Sequence, residues 1–281
     1  MKSLLRDLTS AFRYRRFVTN PWMAATARRS RGAGTNDETV VPLFLRGRGE
    51  LFIRRMTSDI HVFKDVYMKD AYHLDALAAA AARGKPLDRV IEIGGHIGVF
   101  ATRVATLAGR VLSCEPMPPN AALFRRNVDS LHCDNVTLLE AAVTATGESL
   151  TLFASGNTAG HSAFQELAGE RSTTADAQAH TVDSVTLQEL LARDGGGRCN
   201  LLKIDCEGGE YDILLNADED SLARVDRVVL EYHNVPYGNY EQPHESVVER
   251  LQQSGFTVNL EPSHRHPSYG YIQAWRGPSW V

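Results

Sequence analysis

The order of apolar and polar residues divides this chain into segments of different rhythm. Over residues 3–17, Leu4, Leu5, Leu8, Ala11 and Phe12 recur at helical spacing with basic residues around them. Residues 20–40, which run through Asn20-Pro21 into a stretch rich in Ser, Arg and Gly, read as a linker. Residues 42–56 then alternate with period two, and Gly47 and Gly49 supply the turn of a strand pair.

From residue 74 the rhythm becomes that of alternating strands and helices. An Ala-rich helix over 74–82 stops at Gly84-Lys85-Pro86. An apolar strand, 90–93, enters a Gly-rich turn and a helix predicted over 99–108. Strand 111–114, helix 120–131 and strand 136–139 follow. A βαβαβ start of this kind builds an open parallel sheet with right-handed crossovers. Strand-like pieces at 149–153 and 179–182 flank a polar stretch and read as an inserted hairpin at about 149–182. Helix 187–192, strand 201–204, helix 210–216, strand 228–230, helix 245–254 and strands 256–260 and 271–274 complete the pattern. The last two strands are joined by a short polar loop, which suits an antiparallel hairpin better than a crossover helix. The expected fold class is α/β, with a seven-stranded, mostly parallel sheet and one antiparallel strand in its edge region. The expected organisation is a basic helix and linker over 1–40 and one α/β domain over 41–281.

The sheet tips carry the candidate chemistry, because ligands of open α/β sheets bind outside the carboxyl ends of their strands. The first tip reads Glu92-Ile93-Gly94-Gly95-His96-Ile97-Gly98. Its glycines let backbone approach a ligand closely, but their spacing does not make the Gly-x-Gly-x-x-Gly dinucleotide fingerprint. Glu92 there suits the charged amino end of S-adenosylmethionine, directly or through water. Glu115 ends the next strand, where a carboxylate can accept both hydroxyls of a ribose. Asp205, Glu207 and Glu210 crowd the next tip. Glu210 has a helix N-terminus to explain it, whereas Asp205 and Glu207 need another reason to be there. Glu231 and His233 share one side of the following strand by period two.

Charge narrows the partners. Eight Lys or Arg against one acid give residues 1–31 a charge of +7, so the remainder of a chain with net charge −4 carries −11. An acidic body argues against a nucleic-acid substrate held by its phosphates. The basic segment itself reads first as a solvated, frayed terminus. No apolar run reaches membrane-spanning length, and the first residues lack the apolar stretch of a secretory signal. Cys114, Cys133, Cys199 and Cys206 are too scattered for a disulfide scaffold or zinc site, which points to reduced thiols and a cytoplasmic location.

Several segments together resemble one family. LLKIDCEGGEYDIL is similar to the hallmark block of FkbM-type methyltransferases, and VIEIGGHIGVF, SCEPMPPNAALFRRNV and VVLEYHN resemble further motifs of that family in the same order. MTSDIHVFKDVYMKDAY is similar to its entry segment; the resemblance covers roughly residues 55–275. This chain departs at His96, where family members usually carry Asn, and at Gly95, where Ala is frequent. The resemblance implies a Rossmann-like class I methyltransferase that uses S-adenosyl-L-methionine to O-methylate a small molecule, such as a secondary metabolite, or a sugar. Mapped onto this chain, Glu92, Gly94, Gly95, His96 and Gly98 would form the cofactor loop. Glu115 would hold the ribose, Ala142 would lie near adenine, and Asp205 would sit by the methionine end.

For the chemistry, His233 or Glu207 is the expected base, with Asp205 beside them. A divalent cation such as Mg²⁺ on Asp205, Glu231 and His233 is a second option. Substrate contacts are expected around Asp59, Tyr67 and Tyr72, around Asn157, His161 and Ser162, and around His264 and His266. The competing readings are a nicotinamide-dependent oxidoreductase and a non-catalytic binding module on the same fold.

Overall fold

A computed structural model describes residues 2–27, 39–153, 179–193, 195–234, 243–263 and 269–281. Asn157, His161, Ser162, His264 and His266 lie outside the described residues. The chain opens with helices α1 (Lys2–Tyr14) and α2 (Pro21–Thr26) and the antiparallel pair β1 (Val40–Leu45) and β2 (Gly49–Arg54). Helix α3 (Asp59–Phe63) continues into a π-helical turn, Lys64–Met68, and α4 (Leu74–Ala82) follows. Two βα steps and a third strand come next: β3 (Leu87–Ile93), α5 (Val99–Val104), β4 (Ala108–Cys114), α6 (Pro118–Ser130) and β5 (Val136–Leu139). The predicted helix over 99–108 is thus cut short. Ala108 pairs with Leu87 as the first residue of β4, so sheet pairing overrides the helical preference of alanine.

Short strands β6 (Ala142–Val143) and β9 (Ser184–Val185) pair in parallel, and β7 (Leu150–Phe153) pairs antiparallel with β8 (Ala179–Val182). Strands β7 and β8 are the flanks of the expected insertion. The remaining elements are α7 (Leu187–Ala192), β10 (Leu201–Ile204), α8 (Glu210–Leu215), α9 (Glu219–Ala223), β11 (Arg227–His233), α10 (Pro243–Gln253), β12 (Thr257–Pro262) and β13 (Tyr269–Trp275). The main sheet has seven strands in the order β12-β13-β11-β10-β3-β4-β5. Only β13 runs against its neighbours, and it lies one place in from the edge, between β11 and β12.

Both faces of this sheet are covered, and period two assigns each residue to a face. Val90, Val111 and Leu201 enter one core with Phe100 and Phe124. Their neighbours Ile91, Leu112 and Leu202 enter the other, with Leu190, Tyr211 and Leu230. The first core also takes in Tyr14, Val18, Leu43, Leu51 and Phe63. The basic segment is therefore not simply a solvated tail. The Asn20 side chain bridges Pro42 O and Phe44 N at 2.8 and 2.9 Å, while Arg13, Arg15 and Arg16 stay exposed. The four cysteines are free thiols. Among the described residues, no helix is long and apolar enough to cross a membrane.

Candidate functional site

The tips of β3, β4 and β10 meet around one cavity of about 290 Å³. Its shape starts with two glycines. The N–H groups of Gly94 and Gly95 both donate to Cys114 O, at 3.1 and 2.8 Å, which folds the β3 tip over the end of β4. Gly94 has φ of +83°, and a Cβ there would lie 1.8 Å from the backbone oxygen of Asp205. A Cβ on Gly95 would lie 2.4 Å from Ser113 Oγ. At Gly94 the backbones of β3 and β10 therefore pack closer than any side chain allows.

Each acid at this cavity has a defined environment. Glu115 is buried; its Oε2 accepts from His96 N at 2.7 Å and its Oε1 from Met117 N at 2.9 Å and Asn120 Nδ2 at 3.2 Å. Burial raises its pKa against these hydrogen bonds. Glu92 is buried and accepts from Ser113 Oγ at 2.7 Å. Burial pushes its carboxyl up to about 7, opposed by Lys203 and Ser113. Asp205 accepts from Tyr72 OH at 2.9 Å. Burial would raise its pKa, but Lys203 and His233 outweigh that and hold it below the ordinary value.

Lys203 joins these groups, and the sequence motifs did not point to it. It is 3% exposed in the middle of the sheet. Its Nζ donates to Gly94 O at 2.8 Å and lies 3.6 Å from Glu92 Oε1 and 3.5 Å from Asp205 Oδ2. Burial disfavours the ammonium, yet Asp205 and Glu92 outweigh it and raise its pKa. A signal for it does exist: a lone Lys in LLKI, a run otherwise suited to a strand buried on both faces, needs buried partners.

The entry segment supports the loop from behind. Asp59 is fully buried and receives Arg54 Nε at 3.0 Å and Arg54 Nη2 at 3.1 Å. His96 Nε2 lies 3.2 Å from Asp59 Oδ1. Burial works against the Asp59 charge, but hydrogen bonds from His96 and Arg54 hold its pKa far below the carboxylate range. Asp59 was expected at the substrate and is instead a buried anchor. Tyr67 was too, and it stacks on Phe63 with ring centroids 4.8 Å apart. Tyr72 alone of the three lines the cavity.

Ala142 and Glu207 also line the cavity, as do Gly94, Gly95 and His96. Gly98, with φ of +80°, packs on the Phe124 ring and is not part of the cavity wall. Glu231 and His233 lie beside it rather than on its wall. His233 is held by three carboxylates. Its Nε2 is 3.2 Å from Glu207 and 3.8 Å from Glu231, and its Nδ1 is 3.2 Å from Glu210. Burial would lower its pKa, but Glu207 and Glu210 outweigh that and raise it well above the ordinary value. His233 thus has both ring nitrogens against acids and lies off the cavity wall, so that Glu207, which lines the cavity, is the better placed of the two expected bases. Glu210 is more than a helix-dipole charge, since it also accepts from His233 N at 2.8 Å.

The same geometry gives the metal reading no support. Both ring nitrogens of His233 face carboxylates. Burial and Asp205 push Glu231 up to about 8. Among the described residues, no group of three His, Cys, Asp or Glu side chains is arranged to hold a metal ion.

Glu92, Glu231 and His233 each bind a proton more tightly in the folded chain than in the unfolded one. The stability such a group contributes is complete below its unfolded pKa and is lost as pH rises through the folded value. For Glu92 the window is 4.5 to about 7, and for Glu231 it is 4.5 to about 8; for His233 it opens at 6.5 and extends well above. Unfolding free energy is expected to fall by about 3 kcal/mol or more between about pH 6 and about pH 9, since Glu231 alone accounts for about that much. Urea titrations at constant ionic strength measure this, and equal midpoints at the two pH values would reject it.

The chain resembles two curated proteins. It is 23% identical over 233 residues to the AMB antimetabolite synthetase AmbE of Pseudomonas aeruginosa, a match covering 71% of this chain and 11% of that protein. It is 26% identical over 166 residues to Methyltransferase 1 of Beauveria bassiana, covering 50% of this chain and 63% of that one. The chain thus spans only a part of either relative. Among solved structures it superposes on a putative O-methyltransferase from Klebsiella pneumoniae with a TM-score of 0.45 and 16% identity, over 76% of this chain and 82% of that one. On the methyltransferase FkbM from Methylobacillus flagellatus the TM-score is 0.42 at 11% identity, over 67% and 44%. The methyltransferase FkbM domain matches residues 92–258, which take in every tip that builds the cavity and more than half of the sequence. This chain belongs to the FkbM methyltransferase family.

Proposed function

We propose that this chain is an S-adenosylmethionine-dependent methyltransferase acting on a hydroxyl group of a small molecule or a glycan. The observation that carries the reading is the joint presence, around one cavity, of an apolar wall and an ionised one. Ala142, Val143, Leu150 and Leu152 offer an apolar slot for a purine. Glu115 offers a carboxylate to a ribose hydroxyl. Glu92, Lys203 and Asp205 face an amino-acid end whose ammonium and carboxylate carry opposite charges, which two acids around one ammonium complement. A nicotinamide dinucleotide would bring a pyrophosphate against the same acids. The acidic body of the chain favours a small acceptor over a nucleic acid.

When bound, the sulfonium nucleoside supplies an electrophilic methyl group. The chain's part is to align the acceptor with it and keep water out, a contribution of roughly 7–11 kcal/mol in well-oriented reactions. An alcohol also needs a proton acceptor. Glu207 is the candidate, since it lines the cavity and its Oε2 sits 3.2 Å from His233 Nε2. Glu207 has φ of +54°, a strained conformation of the kind that collects at active sites. His233 is the positioning residue that fixes the Glu207 carboxylate.

Calorimetry with S-adenosylmethionine, S-adenosylhomocysteine and NAD tests the reading. Heat is expected with the first two and none with NAD. No heat from either sulfur nucleoside on folded protein would end the proposal. Glu207→Gln is expected to bind S-adenosylhomocysteine as the parent does. Its transfer of labelled methyl groups into a small-molecule extract should fall by about 10²–10⁴-fold. Undiminished transfer would remove Glu207 from the mechanism.

A further inference from the structure

Glu115 has too little free capacity to take both hydroxyls of a ribose. A carboxylate offers about four lone-pair sites. Three of them are filled, two on Oε1 by Met117 N and Asn120 Nδ2 and one on Oε2 by His96 N. One site remains, on Oε2. The second hydroxyl of a bound diol needs another acceptor within reach, because a buried hydroxyl without one is costly.

The next residue on that wall provides it. His96 lines the cavity at 8% exposure, and its Nδ1 is a buried atom with no hydrogen-bond partner in the protein. The other ring nitrogen is committed. Nε2 lies 3.2 Å from Asp59 Oδ1, and Asp59 is a fully buried carboxylate also held by Arg54. Arg54 Nη2 also lies 3.3 Å from Nε2, but its two N–H groups are directed at Asp59 Oδ1 and Asn120 Oδ1, so the buried carboxylate is the acceptor left for this ring, the ring proton is assigned to Nε2, and Nδ1 keeps its lone pair. Ring and carboxylate are also held in a fixed relation. The His96 amide donates to Glu115 itself, and Arg54 Nη2 donates to Asn120 Oδ1 at 2.8 Å while Asn120 donates to Glu115. One polar network, anchored on Asp59, thus orients both acceptors.

We propose that the ribose diol is divided between Glu115 Oε2 and His96 Nδ1, each taking one hydroxyl. This assignment rests on the sulfonium-nucleoside reading of the cavity. Arg54 and Asp59 are then positioning residues that set the tautomer of His96, which gives the entry segment a role in nucleoside recognition.

The test is calorimetry with S-adenosylhomocysteine and its 2′-deoxy and 3′-deoxy analogues, on the full chain and on His96→Phe. In the parent protein each missing hydroxyl should weaken binding by about 3–10-fold. His96→Phe should lose a similar factor for the intact nucleoside. It should then be indifferent to the removal of one hydroxyl while still sensitive to the other. His96→Gly, which meets the φ of +49° without strain, is read in the same way if the Phe variant does not fold. If both deoxy analogues lose as much in the variant as in the parent, His96 touches neither hydroxyl and the assignment is wrong. No heat from the parent protein with S-adenosylhomocysteine would instead overturn the nucleoside reading beneath it. The two failures are therefore distinct.

Discussion

Gly94→Ala is expected to destabilise the protein by about 3 kcal/mol or more and to abolish nucleoside binding. Two costs combine at this position. A φ of +83° strains any residue with a Cβ, which costs of order 1–3 kcal/mol. The added carbon would also sit 1.8 Å from Asp205 O and 2.8 Å from Asp205 C, both backbone atoms that no rotamer change can move. Relief requires the tips of β3 and β10 to separate, which breaks the 3.0 Å hydrogen bond from Asp205 N to Ile93 O. Gly84→Ala separates the two costs, because Gly84 has φ of +82° and a Cβ added there would meet nothing within 4 Å. It should suffer the strain alone and keep nucleoside binding. Urea denaturation of the two variants, with calorimetry on each, measures the difference. Equal losses of stability would mean that the close approach of the two strand tips does not matter.

Lys203→Met is expected to cost about 3–5 kcal/mol, the range seen when one partner of a buried ionic group is removed. For a chain of this size each kcal/mol corresponds to about 2–4 °C in Tm. The loss arises because Glu92, 1% exposed, would keep its desolvation cost without its cation, and because Gly94 O would lose its donor. The double variant Glu92→Gln/Lys203→Met should recover part of the loss, since it removes both members of the pair rather than one. Thermal and urea unfolding of the three variants make up the test. A single Lys203→Met variant within about 1 kcal/mol of the parent would show that the three strand tips are held by something else.

The local pattern read most of the architecture correctly because it depends on short-range rules. Period two and apolar runs located every strand of the main sheet, and the short link between β12 and β13 indicated their antiparallel pairing. The helix after β3 was overextended because alanine favours helix wherever it stands, whereas the pairing of Ala108 with Leu87 depends on a strand outside that segment. At the site, the acids at the strand tips were legible because tips are where ligands meet open sheets. The partners of those acids were not. His233 looked like a base because its neighbours in sequence disclose Glu231 but not that Glu207 and Glu210, from another segment, also face its ring. Asp59 looked like a substrate contact because an Asp in a polar segment is usually exposed.

Residue type and spacing were enough to set the order of strands and helices, the close-approach glycines and the carboxylates that stand at strand ends. Which of these groups carry a proton was settled only by the folded chain. Protonation depends on burial and on charges and hydrogen bonds brought in from distant segments, such as Lys203 beside Glu92 or His96 beside Asp59. Those pairings join residues tens to more than a hundred positions apart, and no local pattern encodes them.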